Sequence, residues 1–164
     1  MTMIAIPSAP SEKAVDEYVT LTVGQQLFGV SIARVRDVFV PERLTRVPLA
    51  PPEIAGVLNL RGRIVTGIDL RPRLGMPREP GPAPFALGLE CKNDCYALLI
   101  DAIGEVVRLP AQDWEANPIN LDPALASLSA GIYRLPGQVL VVLDIDRVLD
   151  LENGENEPQP QERI

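Results

Sequence analysis

Hydrophobic and polar residues alternate in several short runs along the chain, and this alternation is typical of half-buried β-strands. Residues 18–23 (YVTLTV) alternate in this way, and residues 24–26 are typical of a turn before the chain returns at 27–30. The apolar runs 57–60 and 64–68 flank Arg61-Gly62-Arg63, where the glycine can adopt the positive φ of a tight hairpin. The pattern predicts a mostly β protein with many short strands.

Aspartates mark the predicted starts of short helices. Asp69 stands where a strand ends, and its carboxylate can accept hydrogen bonds from the free N–H groups of a helix over residues 70–74. Asp144 stands at the same point of a later, similar segment, and Asp122 precedes Pro123, a residue favoured at the first helical position. Helix capping at the same position of both repeats explains these two aspartates without a catalytic role. We therefore interpret Asp69 and Asp144 as structural rather than catalytic.

Two segments of the chain resemble each other, which indicates an internal duplication. The segment that begins at Gly56 aligns without a gap with the segment that begins at Gly131, at an offset of 75 residues. A second match, from Phe28 to Val38, aligns with residues 96–106 at an offset of 68. The identical pairs in the first match are Gly56/Gly131, Leu60/Leu135, Gly62/Gly137, Asp69/Asp144 and Leu74/Leu149. Some five short strands per half suggest two small barrels that share core surface.

Changes in composition divide the chain into regions. The run MPREPGPAP is proline-rich and separates the two halves, whereas the acidic run ENGENEPQPQERI lacks the apolar residues needed to bury surface. We expect a loose arm at 1–16, one domain at 17–151 (a first repeat at about 17–75, a connector at about 76–84 and a second repeat at about 85–151) and a disordered acidic tail at 152–164.

Composition narrows the class of protein. Apolar residues make up 46% of the chain and aromatic residues only 4%, so a sizeable core must consist largely of aliphatic side chains. No apolar run approaches the roughly 18 residues of a spanning helix. The first residues lack the basic region of a signal peptide. We therefore expect a soluble, cytoplasmic protein without direct membrane insertion.

Residues that support catalysis are scarce, and we predict no catalytic residue, no cofactor and no metal site. The chain has no histidine, which removes the commonest general base and metal ligand. Cys91 and Cys95 are interpreted as reduced cysteines in or beside a strand. Phosphate-binding loops and nucleophile elbows are missing, and Trp114 is interpreted as a packing or rim residue. The pattern favours a binding module over an enzyme.

Charge is unevenly distributed and leaves an alternative open. From Arg34 to Arg78 there are nine arginines against four acids, although the net charge of the chain is −7. A small-barrel nucleic-acid-binding module using this basic stretch is therefore the alternative function. We discount it, because the arginines are spread between apolar strands. Arginine also makes forked contacts with carboxylates, which suit protein interfaces.

The run GVLNLRGRIV, which begins at Gly56, and the later Ile68-Asp69-Leu70 resemble the signature of the CheW family of chemotaxis coupling proteins. The upstream run GVSIARVRDV, which begins at Gly29, is similar to the same family, and the resemblance covers residues 17–151. It implies two pseudo-symmetric SH3-like five-stranded β-barrel subdomains and no catalysis. It also implies an adaptor that couples the cytoplasmic tips of methyl-accepting chemoreceptors to the regulatory domain of a CheA-type histidine kinase and supports array assembly.

Further partners and the location follow from the resemblance. Other CheW-like domains are expected as neighbours in rings beneath the receptors. The protein is expected in the cytoplasm, peripheral to the inner membrane through receptor arrays, and without nucleic acid as a partner. Kinase-facing residues are not assigned. Repeat two reads Arg134-Leu135-Pro136-Gly137 where repeat one reads Asn59-Leu60-Arg61-Gly62, so the hairpin arginine has no second copy and the contacts of the two repeats must differ.

The resemblance also implies a receptor-binding groove. Its apolar residues can accept a receptor helix hairpin. Arg61 can donate a fork of hydrogen bonds to a carboxylate, either within the module, where Asp37 is the candidate, or on a partner. The implied receptor-binding residues are Ile32, Val35, Asp37, Val38, Val57 and Arg61.

Overall fold

The structure, a computed structural model, describes residues 14–81 and 83–150. The predicted acidic tail at 152–164 lies outside these residues, as does most of the predicted arm at 1–16. The first strand begins at Val15, two residues inside that arm, because residues 15–16 pair with Pro110 and Leu109.

The described residues form ten β-strands, three short α-helices and two 3-10 turns. The mostly β expectation is therefore confirmed. The strands are β1 Val15–Val23, β2 Gln26–Ser31, β3 Val35–Phe39, β4 Ile54–Leu60, β5 Arg63–Asp69, β6 Phe85–Cys91, β7 Asp94–Ile100, β8 Ala102–Pro110, β9 Ser129–Leu135 and β10 Gln138–Leu143. The helices are α1 Leu70–Arg73, α2 Pro123–Leu128 and α3 Ile145–Val148, and the 3-10 turns are Ile32–Arg34 and Ala111–Asp113.

The strands make two five-stranded sheets with the same pairing pattern. The terminal sheet has the order β9-β10-β2-β1-β8, and the central sheet has the order β3-β6-β7-β5-β4. Each sheet contains one parallel pair, β10 with β2 or β5 with β7, and its other pairs are antiparallel. The expected pseudo-symmetry is therefore visible strand by strand.

The sheets and the sequence repeats divide the chain differently. The terminal sheet combines β1 and β2 with β8–β10, whereas the central sheet is built from the continuous stretch 35–100. The proline-rich connector at 76–84 joins α1 to β6 within the central sheet and does not mark a boundary between the sheets. Parallel pairing causes this exchange, because β2 and β5 each take as neighbour a strand from the other half.

One apolar cluster packs the two sheets together. Leu21 and Phe28 of the terminal sheet and Ile68 and Leu98 of the central sheet are fully buried members of it. Most of its members are Leu, Val or Ile, as the low aromatic content predicts. The expectation that the two halves share core surface is confirmed.

The predicted helix caps are present. The Asp69 carboxylate accepts a hydrogen bond from the Arg71 N–H at 3.1 Å, and that of Asp144 accepts one from the Arg147 N–H at 3.2 Å. Asp122 accepts hydrogen bonds from the second and third residues of α2, with Pro123 at the first position. These contacts satisfy N–H groups that a helix start leaves free.

Candidate interaction site

The β4–β5 hairpin holds Arg61 in a defined position. Arg61 and Gly62 both have positive φ, 53° and 83°, as a two-residue hairpin turn requires. The Asn59 side-chain oxygen accepts a hydrogen bond from the Gly62 N–H at 2.9 Å and supports this turn. Asn59, Arg61 and Gly62 at this spacing therefore favour a tight hairpin that presents an arginine at its tip.

Arg61 contacts the carboxylate that the sequence suggested. Its Nη1 donates to Asp37 Oδ2 at 2.6 Å. The Asp37 side chain is largely covered, whereas that of Arg61 is mostly exposed. The charge-assisted bond leaves other N–H groups of the guanidinium free to face solvent.

This contact joins the two edges of the central sheet. Strands β3 and β4 are the outer strands of that sheet, and unpaired edges are open to unwanted pairing. The Arg61–Asp37 bond spans from the hairpin after β4 to β3. A short bridge between Thr45 and Val57, with two backbone hydrogen bonds of 2.8 Å, ties the segment after β3 to β4. The candidate site therefore lies where the two edges of the central sheet are bridged to each other.

The apolar residues expected in the groove differ in exposure. Val38 is 46% exposed and Ile32 is 40% exposed, so both present apolar surface to solvent. Val35 is half-buried and packs against the shared core, and Val57 is half-buried on β4. Burial along β3 alternates, so Val35 and Asp37 face inward whereas Val38 faces outward. Val38 is consequently the apolar residue of β3 best placed to meet a partner.

The structure separates Ile32 from the Arg61–Asp37 pair. A small cavity of about 190 Å³ surrounds Asp37 and Arg61 and is lined also by Arg36 and Arg63. Ile32 instead lines a groove of about 750 Å³ that reaches Trp114. Asp37 and Arg61 therefore line one cavity and Ile32 lines another, while Val35, Val38 and Val57 line neither.

The arginines of the basic stretch are mostly engaged with carboxylates. Five of the nine make ion pairs: Arg34 with Asp146, Arg36 with Glu90, Arg61 with Asp37, Arg71 with Asp101 and Arg78 with Asp69. Pairing removes the excess positive charge that phosphate binding requires. The structure gives no support to the nucleic-acid alternative.

Two ion pairs that the sequence analysis missed fix the links between the sheets. Arg71 binds Asp101 through two hydrogen bonds, of 3.2 and 2.6 Å, and Asp101 also accepts one from the Gly24 N–H at 2.8 Å. Burial opposes the charge on Asp101, but these hydrogen bonds outweigh it and lower its pKa. Arg34 donates to Asp146 at 3.0 Å, and this bond lowers the pKa of Asp146. The repeat alignment was the available signal, because it superposes Arg71 on Asp146.

Trp114 packs against Gly131, the residue that aligns with Gly56 in the repeat match at an offset of 75 residues. A Cβ added at Gly131 would collide with the indole ring, so the two residues are in close contact. The indole is nevertheless 44% exposed and lines the groove of Ile32. Trp114 is therefore both a packing residue and a partly exposed one, in line with its interpretation as a packing or rim residue, whereas the groove that it lines was not predicted.

Residues of reactive types do not assemble into a reaction centre in the described part of the chain. Cys91 and Cys95 are both free thiols, and burial raises the pKa of Cys91, which disfavours its nucleophilic form. Within 14–81 and 83–150, no three residues of the metal-binding types His, Cys, Asp and Glu come together as a metal site. Over the same residues, no helix is long and apolar enough to cross a membrane.

Comparisons with known proteins agree with this architecture. The model of the CheW-like domain family matches residues 17–153. The chemotaxis protein CheW of Rhizobium meliloti is 29% identical over 140 residues, covering 85% of this chain and 90% of that protein. That of Klebsiella aerogenes is 24% identical over 153 residues, covering 92% and 91%. The crystal structure of scaffolding protein TtCheW from Thermoanaerobacter tengcongensis has the same fold, with a TM-score of 0.75, 23% identity and coverage of 84% and 94%.

Proposed function

Because the chain belongs to the CheW-like domain family, we propose that it is a non-enzymatic adaptor in a chemosensory system. In this proposal it couples the cytoplasmic tips of chemoreceptors to the regulatory domain of a CheA-type histidine kinase and controls that kinase within an array. It works in the cytoplasm, held at the inner membrane by the receptors. The names of the relatives as chemotaxis or scaffolding proteins support this role.

The observation that carries the proposal is the Arg61–Asp37 contact at the open edge of the central sheet. It places a mostly exposed guanidinium at the edge strand β3, whose outward-facing Val38 is also exposed. An exposed apolar side chain and a directional donor at one sheet edge suit the recognition of an amphipathic helix that carries a carboxylate. A receptor tip, as a helix hairpin, fits this chemistry.

The other residues of the expected groove contribute in different ways. Ile32 extends the apolar surface across the 3-10 turn that precedes β3. Val35 and Val57 are half-buried and chiefly hold β3 and β4 in place. Asp37 orients Arg61, so we propose it as a positioning residue rather than a contact of the receptor. The kinase and other CheW-like domains are proposed partners whose contact residues we do not assign.

The experiment measures binding of a receptor-tip fragment and autophosphorylation of a CheA-type kinase from the same organism. Val38→Glu and Arg61→Glu are expected to weaken receptor binding about tenfold or more, as loss of a central interface residue does, and to lower kinase stimulation. Both residues are exposed, so the free energy of unfolding should change little. Ile119→Glu is the matched control, because Ile119 is fully exposed and distant in sequence.

A charge exchange separates the two roles of Arg61. The double variant Asp37→Arg/Arg61→Asp can restore an ion pair between the two positions but removes the positive charge from the hairpin tip. We expect receptor binding to stay weak in this variant. Full recovery of binding would show that the pair serves only the fold. Parent-like binding by both Val38→Glu and Arg61→Glu would contradict the assignment of the surface.

A further inference from the structure

The small cavity beside the Arg61–Asp37 contact gathers more arginines than that contact uses. Arg36, Arg61 and Arg63 all line this cavity of about 190 Å³, and the carboxylates that line it with them are those of Asp37 and Glu90. The Arg61 Nη1 lies 2.6 Å from Asp37 Oδ2, and the Arg36 Nε lies 3.3 Å from Glu90 Oε1. Arg63 is exposed and makes no ion pair or side-chain hydrogen bond within the described residues. The lining therefore carries one positive charge without a matching carboxylate.

These arginines also keep hydrogen-bond donors that the fold does not use. A guanidinium carries five N–H donors in a planar fork. Arg61 donates one to Asp37, and its side chain is 73% exposed, while that of Arg36 is 64% exposed. Because three such groups border one cavity, an acceptor that enters it can be held from several sides. A carboxylate has two acceptor oxygens and a negative charge, so it matches both the donors and the unmatched charge.

The size and the apolar lining of the cavity restrict the occupant further. Pockets for small molecules are roughly 300–1,000 Å³, and this cavity is smaller. The buried residues Val65 and Leu89 also line it. A side chain with a short apolar stem and a carboxylate at its end, that of Asp or Glu, has the matching chemistry. A run of phosphates would need several unmatched cations, and this lining offers one.

Strand β3 connects the cavity with the surface proposed for the receptor. Burial alternates along β3, so Arg36 and Val38 share its exposed face. Residues two apart in a strand are separated by about 7 Å. A helix that packs on Val38 can therefore direct a side chain towards Arg36 and the cavity that it lines.

We propose that one acidic side chain of the receptor tip inserts into this cavity and is bound jointly by Arg36, Arg61 and Arg63. The inference rests on the proposed function, because it names the group of the receptor that this surface recognises. Arg61 can keep its bond to Asp37, since its other donors face solvent. Arg63 acts on the partner alone, because it supports no ion pair or side-chain hydrogen bond in the described part of the chain.

The experiment measures the affinity of a receptor-tip fragment for the full chain and for its Arg63→Gln and Arg43→Gln variants, at low and at moderate salt. Arg63→Gln should weaken binding about fivefold, the upper end of what an exposed ion pair contributes, and should make the affinity less sensitive to salt. Its free energy of unfolding should equal that of the parent. Arg43→Gln is the matched control, because Arg43 is also exposed and unpaired among the described residues but does not line the cavity.

Double-mutant cycles identify the inserted side chain. Each acidic residue of the fragment is changed to its amide, and its effect on binding is compared between the parent and Arg63→Gln. One amide should cost clearly less affinity in Arg63→Gln than in the parent. Additive losses at every acidic position, or parent-like binding by Arg63→Gln, would overturn the inference. The proposed function would survive that result if Arg61→Glu and Val38→Glu still weakened binding.

A second probe separates failure of the inference from failure of the proposed function. A helical peptide with glutamates on one flank and its glutamine counterpart are each titrated with the full chain. If the receptor-tip fragment does not bind the parent, the proposed function fails, and binding of the glutamate peptide alone, lost in Arg63→Gln, would still support the cavity as a carboxylate site. Binding of neither would overturn both. An oligonucleotide that displaces the glutamate peptide and loses its own binding in Arg63→Gln would overturn the acidic side chain as the occupant.

Discussion

The terminal and central sheets share one pairing pattern but close and connect by different contacts. In both sheets a segment beyond an edge strand bridges to the opposite edge, through Thr45 and Val57 in one and Glu115 and Ile132 in the other. In the central sheet the supporting arginine is Arg61, at the hairpin tip, whereas in the terminal sheet it is Arg134, on β9, which binds Glu115. The two sheets therefore share the same backbone pairing, but the side chains that support their edges differ.

The ion pairs that link the two sheets also differ, because the acidic and the basic residue exchange places between them. The second residue of α1, Arg71, pairs with Asp101, which follows β7. The second residue of α3, Asp146, pairs with Arg34, which follows β2. The first pair is largely buried and doubly hydrogen-bonded, whereas in the second pair Asp146 is mostly exposed and accepts one hydrogen bond from Arg34. A duplicated fold can thus satisfy the same structural need twice without conserving the residues.

The largest expected effect concerns the glycines where the bridges cross. A Cβ at Gly56 would collide with the backbone carbonyl of Thr45, whereas the nearest atoms to one at Gly131 belong to the side chain of Trp114. A half-exposed side chain can move, but a hydrogen-bonded backbone cannot. Gly56→Ala should lower the free energy of unfolding by about 3 kcal/mol and Gly131→Ala by about 1 kcal/mol. Urea unfolding measures both, and equal losses would show that the bridges are equally rigid.

A smaller effect is expected from the two inter-sheet ion pairs. Asp101→Asn should cost about 2 kcal/mol, because it weakens a buried, charge-assisted network. Asp146→Asn should cost less than about 1 kcal/mol, as exposed pairs do. The two variants are matched in chemistry and differ only in their place in the fold. An equal cost would mean that burial does not distinguish the pairs.

The pH dependence of the Asp101 contribution has a definite sign. Its hydrogen bonds lower its pKa in the folded state, so the stabilisation is fully present above its ordinary pKa, about 3.9, and is lost as the pH falls through the folded value. The difference in stability between the parent and Asp101→Asn should therefore shrink as the pH falls below about 4. A difference that persisted at lower pH would indicate that the substitution acts through packing.

The smallest expected effect concerns the two closing arginines. Double-mutant cycles on Asp37 with Arg61 and on Glu115 with Arg134 should each give a coupling energy of about 0.2–1 kcal/mol, since both arginines are mostly exposed. Only the first cycle should change receptor binding under the proposed function. A coupling energy well above that range between Asp37 and Arg61 would indicate that this pair serves mainly to stabilise the fold.

Features that depend on neighbours in the chain could be predicted from the sequence. The caps by Asp69 and Asp144 and the hairpin around Gly62 were predicted because each rests on bonds between residues two or three apart. The Arg61–Asp37 contact was proposed as one of two alternatives and is found in the structure. The receptor-binding role of these residues stays a prediction.

Features that depend on strand exchange could not be predicted in this way. The connector at 76–84 is proline-rich like a linker, but it lies inside the central sheet, because pairing of β5 with β7 is decided by packing and not by composition. The groove beside Trp114 could not be predicted either, since it combines residues from both ends of the described part of the chain.

The sequence by itself determined the short strands, the caps, the arginine-bearing hairpin and the family resemblance. These features depend on residues that are close together in the chain, because hydrophobic periodicity and local hydrogen bonds each involve only a few consecutive residues. Only the tertiary structure decided which strands of each repeat join which sheet. It also decided that Arg71 pairs with Asp101 and that Arg34 pairs with Asp146. Such contacts join residues 30 and 112 positions apart. Their partners are selected by how two apolar sheet faces pack into one core, which is a property of the whole chain.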